Sequence, residues 1–208
     1  ASDVYKRQCP YCGRVIEPNK SCCDKCRKEF PEMPLVRYAT GGYICTSPFP
    51  YDGIFRRAVL NFKFHNCGAY AELLSHEMVR SIKDVYRDRE FDLVTCVPMH
   101  KDTLRKRGYN QAELLAKECA SLLGIEYADL LAKTKKNKTQ HSIKAAERVK
   151  NVIGVYSPID KNLIKGKRIL IIDDIITTGS TLGECARILN KCKCGEICCC
   201  TLCTSLLI

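Results

Sequence analysis

The residues of this 208-residue chain best suited to chemistry lie in one stretch, Arg168 to Leu182 (RILIIDDIITTGSTL). Two adjacent carboxylates, Asp173 and Asp174, follow the apolar run Ile169 to Ile172. A hydroxyl-rich turn comes next, made of Thr177, Thr178, Gly179, Ser180 and Thr181. Each hydroxyl can donate to a phosphate oxygen, and Gly179 lets the backbone approach closely. The acids can accept from ribose hydroxyls or face a magnesium ion. Together they fit a sugar phosphate. A core strand running into a helix capped by Ser180 or Thr181 would explain the hydroxyls. It would not explain two adjacent acids ending an apolar strand.

A second cluster lies near the start of the chain, where CPYC and CDKC are separated by ten residues. Two C-x₂-C pairs closing a short loop can present four thiolates tetrahedrally, with Cys9, Cys12, Cys23 and Cys26 as ligands and Cys22 as a spare. Pro10, Gly13 and Pro18 supply turns rather than a core, so a metal would provide the folding energy. No position is left for a substrate, which points to a structural zinc and not a catalytic one. The chain has sixteen cysteines in all. Many sit inside apparent strands and helices of a mid-sized chain, which suits reduced, packed thiols and a cytoplasmic protein. Cys198, Cys199, Cys200 and Cys203 fall on a strand, where consecutive side chains face opposite ways, so packing explains them better than a second metal.

The elements that must position these groups read as α/β. Ile169 to Ile172 is an apolar run of the kind buried on both faces of a parallel sheet, and strand ends of such sheets hold ligands. Phe91 to Val97 is a second core strand, ending in Pro98, Met99, His100 and Lys101. A loop there can turn its amides and Lys101 toward a pyrophosphate. RKRGYNQ (Arg105 to Gln111) leads into a helix from Ala112 to Leu123, stopped by Gly124. Val36 to Thr46 reads as extended, with a turn at Gly41 and Gly42, and Tyr51 to Val79 as helical. Lys63 on that helix is equally compatible with solvent and with the ligand pocket. Lys133 to Asn151 is polar and basic without a strand pattern, as expected of a solvated loop or a cationic lid. Strands follow at Val152 to Tyr156 and Glu196 to Thr204, with a helix at Leu182 to Leu189 between them. Phe30 to Pro34 reads as a linker. The expected organisation is residues 1–8 as non-native sequence, 9–30 as the knuckle and 31–208 as the α/β domain. Asp3 to Gln8 (DVYKRQ) matches one reading frame of a common transposase adapter, so the true N-terminus is expected upstream.

With 46% hydrophobic and 27% charged residues the chain can bury a core. The net charge of +11 suits an anionic partner, a phosphorylated substrate or nucleic acid. No apolar stretch is long enough to span a bilayer. Few aromatics and no Trp are available for base stacking.

The segment from Arg168 to Leu182 resembles the phosphoribosyl pyrophosphate (PRPP) signature of type I phosphoribosyltransferases. That resemblance implies Asp173 and Asp174 on the ribose hydroxyls and Thr177 to Thr181 around the 5′-phosphate. The order of the pieces is similar to the ComF family of competence-associated, phosphoribosyltransferase-like proteins. They are the four-cysteine knuckle, Tyr51-x-Gly53 with Lys63, VPMH, RGYNQ, Gln140…Arg148…Asn151 and IDDIITTGSTL. The family's usual Thr is replaced by Asn137. The resemblance implies a type I phosphoribosyltransferase-like fold, with a mostly parallel twisted sheet flanked by helices and a small zinc knuckle. It implies a Mg²⁺-dependent transfer of phosphoribosyl from PRPP to an acceptor, with pyrophosphate held by Pro98, Met99, His100, Lys101, Arg107 and Lys63. Gln140 and Arg148 would belong to the flexible loop. No residue is singled out as a general base. The other readings are a non-catalytic adaptor for single-stranded DNA and the uptake machinery, and a PRPP sensor.

Overall fold

The computed structural model describes residues 8–17, 20–64, 70–135 and 152–205. Its centre is strand β8 (Arg168–Ile176) of a seven-stranded sheet. The other members are β1 (Leu35–Ala39), β2 (Tyr43–Ser47), β3 (Phe49–Pro50), β4 (Leu93–Cys96), β5 (Glu126–Tyr127) and β9 (Glu196–Thr204). The order is β1-β2-β9-β8-β4-β5, with β3 pairing to β9. All pairings are parallel except that between β1 and β2.

Ile169 to Ile172 are fully buried, and alternation along the strand divides them between two cores. Leu170 and Ile172 pack with helices α3 (Tyr70–Val85) and α5 (Gln111–Leu123). Ile169 and Ile171 pack with helix α7 (Ser180–Lys191) on the other face. Each such side chain contributes roughly 1.5–3 kcal/mol by leaving water. Three cysteines of β9 follow the same rule, with Cys198 and Cys200 on the first face and Cys199 on the second, while Cys203 joins the first core. Burial pushes the thiols of Cys45, Cys96 and Cys119 up to about 12, so these are inert packing groups.

Several boundaries differ from the sequence reading. The strand carrying the acids does not stop at Ile172, because Ile175 and Ile176 continue to pair with Cys203 and Thr204 of β9. Within the span Tyr51 to Val79 expected as helix, α2 (Gly53–Phe64) and α3 are helical, residues 65–69 lie outside the described residues, and α3 extends to Val85. Val152 to Tyr156 is not a strand. Its first residues turn at Gly154, whose N–H donates to Glu184 Oε1 (2.9 Å), and only Tyr156–Pro158 (β7) is extended. Its partner is Leu131–Lys133 (β6), so Lys133 belongs to a two-stranded antiparallel ribbon rather than a loop. The expected loop at Lys101 is helix α4 (Lys101–Arg107), capped by His100 Nδ1 accepting from Asp102 N. A short helix, α6 (Lys161–Ile164), precedes β8.

The second cysteine pair sits on helix α1 (Asp24–Arg27), with Cys23 as its N-cap and Cys26 within it, and the knuckle shares a core with the sheet. Tyr11 sits edge-on to Phe30, Phe49 and Phe55, with ring centroids 5.0, 5.6 and 5.8 Å away. Arg27 lies over the Phe30 ring and donates to buried Glu77 of α3 at 2.6 Å.

Candidate functional site

The four-cysteine group has the geometry of a metal centre. The sulfurs of Cys9, Cys12, Cys23 and Cys26 lie within 4.8 Å of one another, and those of Cys12 and Cys23 are 3.6 Å apart. A tetrahedral zinc with ~2.3 Å bonds separates its sulfurs by about 3.8 Å. Backbone N–H donation from Cys26 pulls the Cys23 thiol down to about 7, whereas burial pushes Cys9 up to about 11 and Cys26 higher still. Four thiolates at this spacing need a cation between them. The donor set fits a soft or borderline metal.

The acids occupy a different place, the ligand end of the sheet. Asp173 and Asp174 line a cavity of about 210 Å³ together with Lys63, Pro98, Met99, His100, Arg107, Lys133 and Tyr156. Asp173 Oδ1 accepts from Asp174 N (2.9 Å), and Lys63 Nζ stands 3.7 Å from Asp174 Oδ2. Burial, then the charge of Asp174, pushes the Asp173 carboxyl well above the usual carboxylate range, with Lys63 opposing the shift. The two carboxylates form an all-oxygen donor set facing an open space, which fits a hard divalent cation.

Next to this cavity lies the hydroxyl turn. Thr177 to Leu182, with Asp173, Ile175, Ile176 and Val152, line a smaller hollow. Thr178 Oγ1 and Ser180 Oγ are 2.8 Å apart, and Ser180 is the first residue of α7, whose first turn carries no acidic side chain. A helix N-terminus lined with hydroxyls favours an anion. Close packing holds the turn in place. Gly179 has φ +73°, and a Cβ there would stand 2.7 Å from Ala39 Cα. One on Gly183 would stand 2.3 Å from the Thr40 carbonyl oxygen. Thr40 N also donates to Gly179 O (3.2 Å), so the β1–β2 turn rests directly on the start of α7.

RGYNQ acts mainly by positioning. Buried Asn110 donates to Val97 O (3.1 Å) and caps α5 through Ala112 N (3.2 Å), which ties the loop after β4 to the helix. Gln111 accepts from Arg107 at 2.8 Å and so aims that guanidinium along the cavity wall. Tyr109 OH donates to Phe62 O, fixing the end of α2 that carries Lys63.

Of the residues named from sequence, Asp173, Asp174, Lys63, Pro98, Met99, His100 and Arg107 surround one cavity and Thr177 to Thr181 its neighbour. Lys101 is exposed and absent from both linings. Gln140 and Arg148 lie outside the described residues. Lys133 and Tyr156 were not singled out by sequence. Lys133 Nζ lies 5.4 Å from the centre of the Tyr156 ring, and burial holds its ammonium below the usual lysine value, with Asp173 opposing. No described helix is long and apolar enough to cross a membrane.

Residues 110–206 match the phosphoribosyl transferase domain family. Competence protein F of Haemophilus influenzae is 29% identical over 194 residues, covering 91% of this chain and 81% of that protein. Competence protein ComFC of Bacillus subtilis is 29% identical over 192 residues, covering 91% of this chain and 74% of that protein. Among solved structures, the glutamine PRPP amidotransferase of B. subtilis with ADP and GMP matches 64% of this chain at 20% identity and a TM-score of 0.44. The match spans 26% of that longer chain. Residues 110–206 thus carry a phosphoribosyl transferase domain match, and over most of its length the chain is similar to the two ComF-type competence proteins.

Proposed function

We propose that the protein is a phosphoribosyltransferase that binds PRPP with Mg²⁺, transfers the 5-phosphoribosyl group to an acceptor, and serves DNA uptake. The observation that carries this reading is the single cavity in which Asp173 and Asp174 meet Lys63, Arg107 and Lys133, beside a hydroxyl turn at a helix N-terminus. The turn from Thr177 to Thr181 holds the 5′-phosphate through hydroxyls and the N-terminal amides of α7. Asp173 and Asp174 accept from the ribose hydroxyls. Lys63, Arg107 and the backbone of Pro98 to His100 hold the pyrophosphate.

In the transfer, the bond from C1 to the pyrophosphate oxygen breaks and its electron pair leaves with pyrophosphate. A bond from C1 to the acceptor nucleophile forms, and the acceptor's proton passes to solvent. Positive charge develops at C1 in the transition state, where the two carboxylates stabilise it. Asp173 and Asp174 would also hold Mg²⁺, which when bound neutralises charge on the leaving pyrophosphate. Cys9, Cys12, Cys23 and Cys26 would hold a structural zinc that stiffens the knuckle against α3.

The competence proteins to which the chain is similar support the link to DNA uptake. The net charge of +11 favours a second reading, an adaptor that binds single-stranded DNA without turnover. Calorimetric titration with PRPP, with and without Mg²⁺, separates the two. Tight Mg²⁺-dependent binding that Asp174→Asn abolishes supports the transferase. No PRPP binding, together with salt-sensitive retention of single-stranded DNA, would leave the adaptor.

A further inference from the structure

A second cavity adjoins the acid-lined one and has a different character. It measures about 530 Å³ and is lined by Lys63, Thr103, Arg105, Lys106, Arg107, Gly108 and Tyr109. Lys63, Thr103 and Arg107 belong to both cavities and form the wall between them. Four cations therefore surround this space, and no carboxylate stands among its described lining residues. The neighbouring cavity balances its cations against Asp173 and Asp174.

Helix ends account for part of this charge. Arg105, Lys106 and Arg107 lie in the last turn of α4 and Lys63 in the last turn of α2, where cations complement the helix dipole. That gives no reason for two such ends to share one open cavity beside the reacting groups. Arg105 and Lys106 are exposed and make no ion pair among the described residues, so their charge remains available to a ligand.

We infer that this basic cavity is an acceptor subsite, and that the acceptor carries its own phosphate. The inference rests on the transferase reading, in which both phosphate-bearing ends of PRPP are already accommodated elsewhere. The 5′-phosphate has the hydroxyl turn, and the pyrophosphate has the wall of Lys63 and Arg107 on the acid side. What remains beyond the wall is a cationic space of the size that holds a nucleotide-sized ligand, roughly 300–1,000 Å³. A phosphate held by Arg105 and Lys106 places the remainder of its molecule within reach of Lys63, Arg107 and the ribose cavity. A neutral free base would leave these cations unused.

The test uses inorganic phosphate as probe, titrated calorimetrically into the full chain with and without saturating PRPP and Mg²⁺. The comparison protein is Arg105→Gln/Lys106→Gln, whose substitutions touch only the basic cavity and lie on an exposed turn. In the wild type, saturable phosphate binding persists when PRPP is bound. The variant loses about tenfold or more of that affinity while keeping its thermal midpoint and its PRPP affinity. Phosphate binding that PRPP eliminates in the wild type would give the basic cavity to pyrophosphate and overturn the assignment. Equal phosphate binding by variant and wild type would overturn it too. So would a short single-stranded oligonucleotide whose binding requires Arg105 and Lys106 when phosphate alone shows no saturable site. If PRPP does not bind at all, the transferase reading fails. The comparison of phosphate binding by variant and wild type then still decides whether the cavity is an anion site.

Discussion

Strand β8 meets carboxylates at both ends, and the protein treats them in opposite ways. At its start, Arg168 donates to Asp92 from its backbone N–H (2.8 Å), Nε (3.1 Å) and a terminal nitrogen (2.8 Å), and to Glu90 at 2.6 Å. The Arg168 side chain and backbone hold the Asp92 carboxyl well below the usual carboxylate range. Toward the other end, Asp173 is desolvated beside a second acid, and its carboxyl is pushed the other way. The nearest described cation to Asp174 is Lys63, 3.7 Å away. Charges at the start of the strand are paired with protein and hold β8 to β4. Charges toward its end are left short of partners, as expected of groups kept for a ligand.

The contrast is broken most severely at the acid pair. Asp173→Asn/Asp174→Asn is expected to weaken PRPP binding about a hundredfold or more, read by calorimetry. The same variant should melt no lower than wild type, because a like-charge pair and its desolvation are both removed. Lys133→Met should follow the same pattern on a smaller scale. PRPP affinity falls about tenfold, and thermal stability holds or rises as a desolvated ammonium is replaced by an apolar side chain.

The start of the strand should respond in reverse. Arg168→Met leaves Asp92 and Glu90 without their shared partner, so the thermal midpoint falls while PRPP affinity stays within ~2-fold, as expected for distant sites. Acid sharpens the comparison with the smallest expected effect. Asp92 has a folded pKa below its unfolded value of ~3.9, so its contribution is complete above that pH and lost as pH falls toward the folded value. Wild type should therefore lose stability below about pH 4 more steeply than Asp92→Asn, measured as midpoint against pH. A raised carboxyl such as Asp173 has the opposite sign, favouring the fold at low pH and ceasing to do so as pH rises through its folded value.

Much of this arrangement was legible in the sequence because it was local. Ile169 to Ile172, the acids and the hydroxyl turn are contiguous, and one strand followed by one helix places them at the C-terminal end of a central strand. The C-x₂-C spacing likewise brings Cys9, Cys12, Cys23 and Cys26 together within one short loop. What stayed hidden depends on contacts between distant segments. Lys133 reads as one more lysine in a basic run until β6 pairs with β7, more than twenty residues later, and turns it toward Asp173. Gly183 looks like a weak residue in a helix until the β1–β2 turn is seen resting on it. RGYNQ is visible as a motif, but its hydrogen bonds to Val97 and Phe62 reach two separate segments. The turn at Gly154 escaped because Val152 and Val155 are apolar and buried, as strand residues would be.

The claim that β8 carries structural charge at one end and ligand-binding charge at the other is tested most directly by the thermal shift that PRPP and Mg²⁺ induce. It should be measured side by side on wild type, Arg168→Met and Asp173→Asn/Asp174→Asn. The account predicts a rise in midpoint for wild type, a similar rise from a lower starting point for Arg168→Met, and none for the double variant despite a normal starting point. A double variant that starts low and still responds to PRPP would contradict it.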